Sequence, residues 1–211
     1  IDVNFRMAYV GTVSLVDAQG KALATRRYAA PACDDPAALV GSMVADVRAA
    51  WSEAGLAFTV RVQGKRQPPW CRESRPEDSD SLQIWIDTRD VHNVHRAGRF
   101  CHRFVFLPGG SGRRLDQPVA ETLPINRAKE PPNPVRAGLL KVRCQQQVDG
   151  YILDALIPAE ALTGFDPAEH PRVGFTYAVI DRELGEQTFV VGSPMPYQED
   201  PSLWATLELQ R

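Results

Sequence analysis

The chain has 211 residues, of which 44% are hydrophobic and 24% charged, and its formal net charge is −2 at pH 7. This ordinary globular composition excludes a disordered chain and predicts no nucleic-acid partner. No apolar run approaches the roughly 18 residues of a membrane-spanning helix, so we expect no membrane span. The length fits one large β domain, and we take residues 1–211 as a single domain.

The first strands are predicted between the start of the chain and a hairpin near residue 55. Residues 5–16 predict one or two strands. Residues 39–50 fit either a helix or a strand. The run 46–51, the turn 52–55 and the alternating run 56–62 favour a strand, a tight turn and a return strand.

Two irregular loops surround the clearest strand of the chain. The first is the polar stretch 64–79, which holds Trp70, and the second is the stretch 88–98, which is rich in His and Arg. The strand 82–87 between them alternates strictly, and 100–107 is another alternating strand. In the segment 81–87 one face carries Leu82, Ile84 and Ile86. The other face carries Ser81, Gln83, Trp85 and Asp87.

The second half of the chain predicts further strands and one helical turn. A hairpin joins 139–148 to 151–157 across Asp149-Gly150, a pair typical of type I′ turns. Pro158 ends the second of these strands. The remaining elements, in chain order, are the strand 120–125, the helical turn 159–162, and the strands 172–181 and 203–209.

These elements predict an all-β fold, an antiparallel β-sandwich of jelly-roll or immunoglobulin-like type with one or two short helical turns. Because each alternating strand has one apolar face, we expect the core to hold Phe58, Val60, Leu82, Ile84, Ile86, Tyr151, Leu153, Ile157, Phe175 and Tyr177.

Three motifs in order resemble the family 9 carbohydrate-binding modules and their DOMON-like relatives. They are the run from Asp80 to Asp87, the strand that opens with Gly150-Tyr151 and ends in Ile157-Pro158, and the strand from Gly174-Phe175 to Asp181. The resemblance covers residues 45–210. It implies a non-catalytic glycan-binding module outside the cell or in the periplasm, working beside a secreted bacterial enzyme or another protein partner.

The resemblance also implies ligand-binding residues. Gln83 stands where sugar-binding members carry Glu, and Arg103 aligns with an Arg of the next strand. Trp70 lies in the loop where an aromatic ring clamps the sugar, although Glu77 stands nearer the matching position. Tyr197, or alternatively Phe189, is the candidate for the second clamp.

Positive charge is concentrated in one part of the chain. Between Arg61 and Arg114 there are eleven Lys or Arg and six Asp or Glu, an excess of five. Lys65, Arg66 and Arg72 lie beside Trp70 in this region. The pattern favours an anionic polysaccharide as ligand, and a solvated loop surface without a ligand fits the same pattern.

The best metal-ligand set is His92, His95, Cys101 and His102. Adjacent Cys101 and His102 point to opposite faces of a strand, so we expect no metal here and interpret the loop histidines as bonded to backbone or to Asp90. The DOMON resemblance also raises a haem-binding alternative. Haem-binding relatives use a Met with a His or Lys as axial ligands, and the methionines here are Met7, Met43 and Met195. No sequence pattern pairs any of them with a histidine, so we predict no cofactor.

No catalytic motif is present. The chain has no Gly-x-Ser-x-Gly elbow, no His-Glu-x-x-His and no glycine-rich phosphate loop. Asp80 and Asp87 lie roughly 23 Å apart along an extended strand, too far to act on one bond. We therefore predict that the chain is not an enzyme. The alternative function is a protein-interaction domain on the same scaffold.

The four cysteines, at 33, 71, 101 and 144, match no zinc or redox spacing. We interpret them as free thiols, since a chain of this size folds without covalent staples, and up to two long-range disulfides are the alternative. The chain opens on Ile1 without a basic start or apolar stretch, so this end shows no signal peptide.

Overall fold

The computed structural model describes residues 45–192 and 194–209, together with the backbone of two strands at 12–16 and 22–27. The strands are β1 Thr12–Val16, β2 Ala22–Arg27, β3 Ala45–Ser52, β4 Gly55–Gln63, β5 Ser81–Asp87, β6 Cys101–Ser111, β7 Gln117–Thr122, β8 Lys141–Gln147, β9 Gly150–Pro158, β10 Arg172–Asp181, β11 Gly185–Thr188 and β12 Ala205–Glu208. Single 3₁₀ turns lie at Pro76–Asp78, Ala159–Ala161 and Pro201–Leu203. The all-β prediction is confirmed.

The strands form two sheets that pack face to face. The first sheet has the order β2-β1-β3-β4-β9-β8, and the second has the order β11-β10-β5-β6-β7 with β12 beside β10. Every strand pair is antiparallel except β1 with β3, which is parallel. The fold is therefore the predicted β-sandwich, and both sheets combine strands from the two halves of the chain.

The main core lies between the sheets, where alternation places the apolar side chains. All ten residues predicted for the core are buried in one cluster. Phe58 of the first sheet stacks on Phe175 of the second, with ring centroids 5.8 Å apart. This spacing is typical of favourable aromatic pairs.

The outer face of β5 is buried as well. Trp85 is fully buried in a second cluster with Ala178 of β10 and residues from three loops, namely Ala97, Ile125, Tyr197 and Trp204. Period-two alternation predicts which side chains share a face, and it does not predict that loops cover the second face. The central strand is consequently buried on both sides.

The β8–β9 turn lies one residue before the predicted position. Gln147 pairs with Gly150, so the turn residues are Val148 and Asp149 rather than Asp149-Gly150. Gly150 is needed for a different reason: a Cβ there would overlap the carbonyl oxygen of Val62 in β4. The glycine therefore permits close approach of two strands.

Other boundaries shift by a few residues. β7 begins at Gln117 rather than residue 120, and a 3₁₀ turn occupies the start of the predicted strand 203–209. The hairpin of β3 and β4 and the turn after Pro158 lie where expected. Met7, Cys33 and Met43 lie outside the described residues. In the described part of the chain, no helix is both long and apolar enough to cross a membrane.

Candidate functional site

Three of the four predicted ligand-binding residues come together on the outer face of the second sheet. Arg103 of β6 donates a hydrogen bond from Nη2 to Oε1 of Gln83 in β5, at 2.8 Å. The guanidinium lies over the Trp85 ring, 5.1 Å from its centroid. Tyr197 packs edge-on against the same ring, at 5.4 Å between centroids. The site is thus organised around Trp85, which sequence reasoning placed on this face without giving it a role.

Glu77 connects this buried group to solvent. Its Oε1 accepts a hydrogen bond from Arg103 Nη1 at 2.7 Å, and its side chain is 56% exposed, against 4% for Arg103. Burial lowers the pKa of Arg103, although the Glu77 carboxylate acts in the opposite direction. Glu77, Arg103 and Gln83 form one chain of planar polar groups from the surface to the sheet.

The Tyr197 ring is buried beneath its own loop and is not exposed to stack on a sugar. The residue is 1% exposed, and its hydroxyl donates to Oε1 of Glu186 at 2.6 Å. Burial, together with the bond to Glu186, raises its pKa. Phe189, the other candidate for the second clamp, is buried in the main core. Both rings are therefore covered by protein in this structure.

Unused hydrogen-bonding capacity is concentrated on the same face. Four buried polar atoms there have no hydrogen-bond partner among the described residues: Trp85 Nε1, Arg103 Nε, Thr176 Oγ1 and Thr188 Oγ1. Trp85 lies directly opposite both Arg103 and Thr176, so three of the four belong to one row across the sheet. A buried polar atom without a partner costs about 1–3 kcal/mol. All four atoms are buried beneath the covering loops, so they do not contact a ligand directly in this structure.

Trp70 lies apart from this group, in the loop that leads into β5. It is half-buried, and its backbone N–H donates to Oδ2 of Asp80 at 3.0 Å. The guanidinium carbons of Arg182 and Arg72 lie 4.2 and 5.2 Å from its ring centroid. No hydrogen bond joins Trp70 to the Arg103 network among the described residues. The ring is thus held in a cationic setting by the loop that precedes β5.

Acidic residues neutralise the positive charge near Trp70. The ammonium of Lys65 is buried and lies 2.6 Å from Asp181, 3.2 Å from Asp80 and 3.8 Å from Glu183. The stretches 65–80 and 181–183 together contain five basic and six acidic residues. The expected basic surface beside Trp70 is therefore close to neutral overall.

The candidate metal ligands lie in separate environments. His92 bonds to Asp90 and Thr206, and His95 bonds to Asp200 and Ser202. Buried His102 accepts from the Thr163 N–H at 3.0 Å, and burial lowers its pKa to about 4. Burial raises the pKa of Cys101 to about 12. No group of three or more His, Cys, Asp or Glu suited to a metal ion occurs within the described residues.

Three cysteines are free thiols in the structure. Cys71 and Cys101 are buried, and Cys144 is half-buried on β8. Burial raises the pKa of Cys71 to about 12 and that of Cys144 to about 11, so neither thiol is an activated nucleophile.

No family model and no curated protein matches the sequence. Among solved structures, a family 9 carbohydrate-binding module from Caldicellulosiruptor kristjanssonii in complex with cellotriose matches with a TM-score of 0.55 and 13% identity, over 79% of this chain and 75% of that one. A structure of such a module from the same organism with glucose matches with a TM-score of 0.54 and 13% identity, over 79% and 76%. The chain has a fold like that of family 9 carbohydrate-binding modules. The DOMON-like part of the resemblance stays a prediction.

Proposed function

We propose that the chain is a non-catalytic glycan-binding module whose ligand contacts Glu77, the exposed end of the polar chain that leads to Arg103, and Trp70. The observation that carries the proposal is the chain of planar polar groups Glu77, Arg103 and Gln83, whose outer end, Glu77, is exposed to solvent. In the two solved structures of similar fold the ligands are cellotriose and glucose. We infer carbohydrate for this chain from that agreement of fold and polar surface.

The chemistry of these side chains suits sugar hydroxyls. Neighbouring hydroxyls pair with planar carboxylate, amide and guanidinium groups, which present two acceptors or donors at a fixed spacing. Glu77 is the most exposed member and has acceptor capacity beyond its bond from Arg103. Trp70 supplies an indole ring for the apolar face of a sugar. Tyr197 supports Trp85 from beneath.

We propose no catalytic role for this site. Asp80 immediately precedes β5, and Asp87 is its last residue. Asp80 accepts from Trp70, Arg182 and Lys65, and Asp87 accepts from the backbone of the following loop. A module that binds glycans without cleaving them fits an extracellular or periplasmic location, where an enzyme partner acts on the same polymer.

The charge of the glycan is the finer part of the proposal. An anionic polysaccharide is attracted by Arg66, Arg75 and Arg182, all exposed near Trp70. The acidic residues around Lys65 oppose that attraction, and screening is strong beyond ~8 Å at physiological salt. The salt dependence of binding therefore decides between an anionic and a neutral glycan.

The test is a titration of the chain with cello-oligosaccharides and with polygalacturonate at low and high salt. The variants are Trp70→Ala and Glu77→Gln, and Glu130→Gln is the matched control at an exposed position. A hydrogen bond to a charged group contributes about 1.5–3 kcal/mol, so Glu77→Gln should weaken binding about tenfold or more. Binding that neither variant changes would remove this surface from the proposal, and hydrolysis of any glycan would contradict the non-catalytic role.

A protein-interaction domain on the same scaffold is the second candidate. One observation favours it: the residues predicted to bind a sugar are at most 4% exposed and are already hydrogen-bonded within the chain, which leaves them little contact with a glycan. These residues are Gln83, Arg103 and Tyr197. If no glycan binds at millimolar concentration while the chain melts cooperatively, this second function takes the place of the first.

A further inference from the structure

A concave site lies at the other end of β5 from Trp70. It is a cleft of about 420 Å³ beside Asp87, formed by the loop from β5 to β6 and by parts of three other loops. Its apolar wall includes Val91, Val94 and Phe100, and its cationic lining includes Arg89, Arg96 and Lys129. Small-molecule pockets have volumes of about 300–1,000 Å³, so this cleft has the size for a small ligand.

The three cations have no acidic partner. No carboxylate of the described residues lies within salt-bridge distance of Arg89, Arg96 or Lys129, in contrast to Lys65 and Arg103. Arg89 donates to the carbonyl oxygen of Gly164 at 2.6 Å, and Arg96 donates to that of Arg127 at 2.7 Å. These bonds orient the side chains and leave their positive charges uncompensated.

The acid that lines the cleft is committed to its own loop. The two oxygens of Asp87 accept from the backbone N–H groups of Arg89 and Val91, at 3.0 and 2.8 Å. Asp87 is 3% exposed, and these two backbone donors partly offset the negative charge that it contributes to the cleft.

The loop that forms the cleft is fixed at several points. Thr88 donates its backbone N–H to Phe100 and its hydroxyl to Thr163. Asp90 has a positive φ of 52° and accepts from the Thr206 hydroxyl of β12. The Lys129 N–H donates to Ala97 at 2.7 Å. A cleft held in this way is preformed, which lowers the entropic penalty of binding.

We propose that this cleft binds a small amphipathic anion, a carboxylate carried on an aromatic body. The apolar wall receives the ring, and the uncompensated cations at the rim receive the carboxylate. The guanidinium carbons of Arg89 and Arg99 already lie 4.4 and 4.9 Å from the Phe100 ring centroid, and a planar aromatic ligand adds another π face beside these cations. The inference goes beyond the glycan site, and it stands whether or not a glycan binds at Glu77 and Trp70.

The experiment titrates the chain with 2-naphthoate by calorimetry and compares it with the neutral isostere 2-naphthalenemethanol. We expect saturable binding of the anion and binding of the alcohol at least tenfold weaker. The double variant Arg96→Gln/Lys129→Gln should raise the Kd for naphthoate about tenfold, equivalent to ~1.4 kcal/mol. The matched control Arg113→Gln/Arg114→Gln removes the same charge from the exposed β6–β7 turn and should leave the Kd unchanged.

The outcomes separate clearly. Naphthoate shifts of backbone amide resonances confined to residues 87–101 and 129, together with the loss in the first double variant alone, support the site. Absence of saturable naphthoate binding to the wild type overturns it. Equal weakening by both double variants, or equal affinity for the alcohol, also overturns it, because either result shows that these two cations do not recognise the carboxylate. The far-UV circular dichroism spectrum of each double variant should match that of the wild type, which shows that the substitutions leave the fold intact.

Discussion

Replacement of Lys65 by Met tests the buried ion cluster that holds the Trp70 loop in place. The Lys65 side chain is 3% exposed, and those of Asp80 and Asp181 are 1% and 0% exposed. Burial alone would lower the pKa of this lysine. The bond to Asp181 and the charges of Asp80 and Asp181 together outweigh burial, so its pKa lies above the ordinary value. The ammonium is therefore charged throughout the neutral range.

The structure allows the magnitude to be worked out. Removing one partner of a buried ion pair destabilises a protein by about 3–5 kcal/mol, because the other charge stays buried without compensation. Here each carboxylate keeps two backbone donors, Trp70 and Arg182 for Asp80, and Glu183 and Leu184 for Asp181. These donors still solvate the charges, so we expect the lower end of the range, about 3 kcal/mol.

The assay is urea unfolding of Lys65→Met and of the matched control Lys141→Met, followed by circular dichroism. Lys141 is exposed, and among the described residues its ammonium donates to the carbonyl of Gly138 alone, so its replacement should change the free energy of unfolding by less than about 0.5 kcal/mol. Because Asp80 also positions Trp70, the Lys65 variant should show changed Trp fluorescence before unfolding. A loss below ~1 kcal/mol for Lys65→Met would refute the reasoning, since it would show that water or backbone donors already compensate both carboxylates.

Two further predictions concern the core. Ile84→Ala should reduce the free energy of unfolding by about 2–5 kcal/mol, since Ile84 is fully buried between the sheets, whereas Leu156→Ala at an exposed position of β9 should not, and equal losses in denaturant melts would contradict the assigned register. His102 has a folded pKa of about 4 against about 6.5 unfolded, so the unfolded chain binds more protons between these values and stability should fall as pH drops from 6.5 towards 4. His102→Asn should lack this part of the pH dependence, and melts at several pH values that show the same slope for both proteins would exclude the buried neutral imidazole.

Alternation made most of the sandwich predictable. In strands such as β4, β5 and β9, one face is apolar over several residues, and that pattern alone identifies the core residues. Glycines and prolines likewise marked the turns after β3 and β9. The turn prediction failed at a glycine that could serve either in a turn or in close strand packing. Gly150 reads as a turn residue from its neighbour Asp149, and the structure shows that β4 approaches it too closely for any side chain.

The candidate site was harder to predict because its properties depend on loops. Gln83 and Arg103 share a face by strand register, which the sequence pattern supports. Their burial depends on the loop that carries Tyr197. No local sequence pattern predicts that a loop folds back over a sheet. The signal that was available is Trp85, a large apolar residue on the nominally polar face of β5. The neutralisation of Lys65 by Asp181 joins residues 116 apart in sequence and has no local signature.

The interleaving of the two sheets also determines when the chain can fold. β4 pairs with β3 on one edge, and its other edge pairs with β9, as in the bond between Thr59 and Asp154, 95 residues apart. One edge of β5 likewise pairs with the distant strand β10, and its other edge pairs with β6. During synthesis the hairpin of β3 and β4 and the strands β5 to β7 therefore keep open edges until β9 and β10 have been made. Such contacts of high sequence separation slow folding, and open strand edges recruit other strands. The nascent chain should depend on ribosome-associated chaperones more than its modest size suggests.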